Sequence, residues 1–134
     1  MVPLLSAWHP FHARTVNAYE RLRQQGAPIV VTAHALWESF AALTRMTEPY
    51  RFPPEEAERL LRENFFQNTE TPRLKIETVW VVIREMAKAD LGGSRIYDTV
   101  IAFASHRAGA RVLLTWKVRH FLPVAPAGLE IREP

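Results

Sequence analysis

The sequence contains no cysteine. That excludes disulfide scaffolds, thiolate metal sites and cysteine nucleophiles. Aspartate is nearly absent as well. Of the 14 acidic residues only Asp90 and Asp98 are aspartate, so chemistry that needs a cluster of aspartates has little to draw on. Lysine is confined to Lys75, Lys88 and Lys117, and the other basic residues are all arginine. No stretch reaches the ~18–20 apolar residues of a membrane helix. The N-terminus lacks the charged and apolar regions of a secretory signal. A cytoplasmic protein is the expectation that follows.

What is present is a chain of 134 residues with 48% hydrophobic content. At ~100–200 residues per domain this predicts a single domain over 1–134. A chain of this size buries ~65–70% of its unfolded surface and needs no metal to fold. Its net charge is +3 and its pI about 9.7. The excess of arginine suits planar, bidentate contact with phosphate. A GC-rich genome or a heat-adapted surface produces the same bias, so composition allows a nucleic-acid partner without requiring one.

Apolar spacing divides the chain into elements. The residues His9-Pro10-Phe11-His12 read as a turn into a helix that Gly26 stops. Ile29-Val30-Val31 is a short apolar run with turn residues before it, the pattern of a buried parallel strand. Thr32 can cap a helix over about 33–46, and Pro54-Glu55-Glu56 opens another with proline and acids in its first turn. A helix over about 76–89 should turn Val79, Trp80, Ile83, Met86 and Ala87 inward. A second, over 96–108, ends at Gly109. Residues 111–115 form the second clear strand and 129–131 a short third. The apolar start, Met1 to Leu5, reads as the stump of another strand. Strands alternating with helices predict an α/β fold with a mostly parallel sheet.

In such sheets ligands bind beyond the carboxyl ends of the strands. That points to Glu38, on the helix after the first strand. It also points to Trp116, Lys117, Arg119 and His120 after the second, and to Asp98 at the start of the helix before it. Carboxylates gathered there suit a hard divalent cation that activates water against a phosphodiester. Each residue also has a plainer reading. Asp98 can complement a helix dipole. Glu38 interrupts an apolar surface and can pair with an arginine. His9 and His12 fit turn and cap roles better than metal ligation, and the four tryptophans fit core or subunit contacts.

Two stretches make a resemblance specific. Pro28-Ile29-Val30-Val31-Thr32 leads to Trp37-Glu38-Ser39-Phe40, and Arg95-Ile96-Tyr97-Asp98-Thr99-Val100-Ile101-Ala102 leads to Leu114-Thr115-Trp116-Lys117-Val118-Arg119-His120-Phe121. In this order they resemble PIN-domain proteins of the VapC toxin type, over about 4–121. The resemblance implies a PIN-like three-layer α/β/α sandwich with a central, mostly parallel sheet. It implies a Mg²⁺- or Mn²⁺-dependent ribonuclease, a homodimer, and a cognate antitoxin that neutralises it. Glu38 and Asp98 match two of the family's metal-binding acids, and Thr115 matches its hydroxyl residue. Arg95, Lys117 and Arg119 are the positions expected to steer RNA phosphates.

The match has three departures. Lys117 stands where the family usually carries Asp or Asn, and His120 where an Asp often precedes the Phe. The family also begins with a strand ending in Asp, and no Asp precedes Asp90 here. Either the reading frame begins upstream of Met1, or that strand and its ligand are lost. Two functions follow as expectations: a metal-dependent ribonuclease, or a catalytically impaired PIN-fold module that binds RNA or a protein partner.

Overall fold

The computed structural model describes residues 1–134. The chain divides into two compact units, Met1–Thr71 and Pro72–Pro134.

The first unit is mainly helical. The apolar start forms one helical turn, α1 (Val2–Leu5), not the strand stump expected. Leu4 and Leu5 both donate their backbone N–H to Met1 O, and Pro3 sits where a helix needs no N–H. Helix α2 (His12–Gln24) carries Arg21 and Arg23 in its last turn, where cations complement the dipole. Gly26, at φ +66°, supplies the left-handed residue that ends it. The expected strand at 29–31 is reduced to one parallel bridge between Val30 and Glu70. Val31 N donates to Glu70 O at 2.9 Å and Glu70 N to Ile29 O at 2.8 Å. Helix α3 (Ala33–Arg45) begins at Thr32, whose hydroxyl accepts from Ala35 N at 3.2 Å. Helix α4 (Pro54–Leu61) runs into a single π-helical turn at Arg62–Phe66. Leu43, Ala57 and Phe65 are buried in this unit.

The second unit holds the sheet. Helix α5 (Ile76–Lys88) buries Thr78, Val82 and Met86. Trp80, Ile83 and Ala87, expected inward, face solvent, while Val79 is half-buried and Met86 is inward as expected. The helix carries two apolar rows, Ile76-Trp80-Ile83 and Val79-Val82-Met86, and the core takes only the second. Helix α6 (Arg95–Arg107) follows, and Gly109 at φ +84° reverses the chain into strand β1 (Val112–Leu114). After β1 come the short helix α7 (Val118–Phe121), a 3₁₀ turn over Leu122–Val124, and strand β2 (Glu130–Arg132). The two strands are parallel, with Leu113 opposite Ile131. Ala102 on α6, Leu113 on β1, Phe121 on α7 and Leu129 before β2 form one buried cluster. The α/β class and the parallel pairing are as the sequence predicts.

Candidate functional site

Asp98 lies in the first turn of α6. Buried Thr99 beside it anchors that turn, its hydroxyl donating to Arg95 O at 2.8 Å. Ala102, one turn further on, packs against Leu113 and Phe121 in the core. Asp98 is thereby held beside the chain that leaves the carboxyl end of β1. Its carboxylate is largely shielded, 15% exposed, and its Oδ2 lies 3.8 Å from Nδ1 of His120 on α7. His120 is itself 66% exposed. That juxtaposition joins residues 22 positions apart, and nothing in the local spacing announces it.

The other residues expected after β1 are distributed along one turn. Thr115 donates its backbone N–H to Arg132 O at 2.9 Å, and its hydroxyl accepts from Lys117 N at 3.1 Å. Its side chain therefore builds the turn that launches α7. Lys117, Arg119 and Arg95 are exposed, and none is tied into an ion pair. Trp116 is half-buried in the same turn.

Glu38 belongs to the first unit. It lies on α3 with its side chain 43% exposed, 3.5 Å from Nε2 of His34. It is thus on the solvent side, with a histidine four residues earlier as partner where an arginine was expected. The i, i+4 spacing brings such pairs together on a helix. Trp37, 68% exposed, meets the His34 ring edge-on at 6.1 Å. Sequence reasoning missed His34, although that spacing was the available signal.

His9 and His12 have structural roles, as expected. His9 Nδ1 accepts from Phe11 N at 3.1 Å, and His12 Nδ1 lies 2.8 Å from Pro3 O. Burial, then the N-terminal amine and His12, hold the His9 imidazole below its ordinary pKa.

The donors near β1 set what cation they suit. Neither unit gathers three or more histidine and acidic side chains able to hold a metal. Asp98 offers oxygen and His120 offers nitrogen, within reach of one another. A hydrated divalent cation that keeps several waters is held by one or two carboxylates together with substrate phosphates. The donor pair fits an ion of that kind completed by water and substrate phosphate, with Asp98 as the residue that would anchor it.

The second unit thus places a shielded carboxylate and several exposed cations near the carboxyl end of a short parallel sheet, the end at which α/β sheets take ligands. The comparisons with known proteins extend this. The chain is 33% identical over 109 residues to Ribonuclease VapC27 of Mycobacterium tuberculosis (strain ATCC 25618 / H37Rv), covering 80% of this chain and 74% of that protein. It is 26% identical over 113 residues to Ribonuclease VapC40 of the same species, in strains CDC 1551 / Oshkosh and H37Rv. That match covers 84% of this chain and 78% of the relative. The chain belongs to the VapC family of PIN-domain ribonucleases. No family model matches it, and no solved structure does. No helix is long and apolar enough to cross a membrane.

Proposed function

We propose that this protein is a VapC-type toxin that hydrolyses phosphodiester bonds in RNA with the help of a bound divalent cation, and that a cognate antitoxin neutralises it. Its relatives carry the ribonuclease name, which supports the reaction class. The observation that carries the site assignment is the shielded Asp98 carboxylate beside the carboxyl end of β1. A carboxylate kept largely from water and without a direct hydrogen bond to a cationic side chain is suited to hold a metal ion.

In this reading Asp98 is the second unit's ligand for Mg²⁺ or Mn²⁺, which when bound supplies Lewis-acid polarisation and a hydroxide nucleophile, and Glu38 keeps the metal-binding role only as the resemblance implies it. Arg95, Lys117 and Arg119 hold the phosphates, and Thr115 fixes the turn that presents Lys117. A lysine in place of an acid lowers the number of oxygen ligands and adds a fixed positive charge toward the substrate. Homodimerisation and RNA binding are part of the same proposal.

The test is RNA cleavage by the full chain with and without Mg²⁺ or Mn²⁺, alongside Asp98→Asn. Cleavage that needs the ion and falls by about a hundredfold or more in the variant supports the reading, since a first ligand should matter at least as much as its outer partners. Equal cleavage by wild type and variant removes the role given to Asp98.

A further inference from the structure

His120 adds something that an all-carboxylate centre lacks. Its Nδ1 is 3.8 Å from Asp98 Oδ2, too far for a hydrogen bond. Two donors bound to one cation at about 2.1 Å stand roughly 3.0–3.4 Å apart at octahedral or tetrahedral angles. A displacement of the exposed imidazole nitrogen by about half an ångström therefore brings the pair to the separation of two donors on one ion.

The backbone at both donors is fixed while the imidazole is not. His120 N and Phe121 N both donate to Lys117 O, and the Phe121 ring is buried beside Ala102 and Leu113. Asp98 sits on a turn locked by Thr99. The imidazole itself is largely in solvent and can turn toward Asp98 without disturbing the core.

We propose that His120 is a cation ligand alongside Asp98 and that it biases this site toward first-row transition dications over Mg²⁺. The inference rests on the reading of Asp98 as a metal ligand. The chemistry follows from the donor pair. Mg²⁺ favours oxygen ligands and surrenders its waters reluctantly. Imidazole nitrogen favours the later divalent ions such as Co²⁺, Ni²⁺ and Zn²⁺. With one carboxylate and one imidazole on the second unit, the nitrogen is half of what the protein offers there.

The experiment is calorimetric titration of the full chain with Co²⁺ and, separately, with Mg²⁺. It compares the wild type, His120→Ala, His120→Asp and Asp98→Asn. Imidazole resonances are followed by NMR during the Co²⁺ titration. The wild type should bind Co²⁺ at least tenfold tighter than Mg²⁺. His120→Ala should lose about tenfold in Co²⁺ affinity and little for Mg²⁺, the usual cost of one weakly held ligand. His120→Asp should strengthen Mg²⁺ binding, and the His120 imidazole should shift strongly with Co²⁺. Unchanged Co²⁺ affinity in His120→Ala, with binding lost in Asp98→Asn, overturns the role of His120 and leaves that of Asp98 intact. Unchanged affinity for both ions in Asp98→Asn overturns the reading of Asp98 itself.

Discussion

At the scale of single residues, two buried hydroxyls stand out. Ser6 is fully buried and its Oγ has no hydrogen-bond partner; the Tyr19 hydroxyl is likewise buried and unpaired. An unpaired buried polar group costs about 1–3 kcal/mol. Ser6→Ala should therefore raise stability by about 1 kcal/mol, read as a higher urea midpoint; a loss would mean the hydroxyl has a partner in solution. Burial also pushes the Tyr19 phenol above its ordinary pKa. His9 titrates the other way. Its folded pKa is lowered, so the folded state binds fewer protons than the unfolded state between that value and about 6.5. The contribution of His9 is full above the unfolded value and is lost as pH falls through the folded one. Protonation at Nδ1 would also remove its bond from Phe11 N. Thermal scans from pH 7.5 to 5 should show wild type losing stability on acidification more steeply than His9→Asn. Parallel profiles would contradict this.

At the scale of elements, punctuation was the most legible signal. Thr32, Pro54 and Gly109 each sit where their chemistry places them, as cap, first-turn proline and left-handed terminator. Thr32→Ala should cost about 1 kcal/mol of stability, the usual value of a cap hydroxyl, measurable by denaturant titration. What was not legible was a choice between equals. Helix α5 has two apolar rows, and periodicity cannot say which one the core accepts; the exposed Trp80 and Ile83 are the result. The five residues at the start are too few for their period to separate strand from helix, and they coil. The site divides similarly. The position of Asp98 in the first turn of α6 was legible from the helix that precedes the second strand. The approach of His120 depends on how α7 folds back on α6, a tertiary contact that no local pattern encodes. Glu38 was expected amid apolar neighbours, yet α3 turns Ser39 and Leu43 inward and leaves Glu38 with His34.

At the scale of the whole molecule, the charge of +3 is small, so any RNA affinity must come from local placement of cations more than from bulk attraction. Three phosphate contacts from Arg95, Lys117 and Arg119 predict a log–log salt slope of about −2 for single-stranded RNA. Lys117→Ala should reduce that slope by about 0.7, measured by fluorescence anisotropy at several salt concentrations. An unchanged slope would remove Lys117 from the interface. The buried cluster of Ala102, Leu113, Phe121 and Leu129 has a consequence for the site as much as for folding. Ala102 lies one turn from Asp98, and Phe121 adjoins His120, so the cluster works as a calliper for those two side chains. Two carbons gained at Ala102 are a spacing error at the surface. Ala102→Val should cost about 1–3 kcal/mol, yet its first symptom should be weakened cation binding at temperatures where the chain is still folded. Ala102 is then constrained by the spacing of the two donors as much as by the packing of the core.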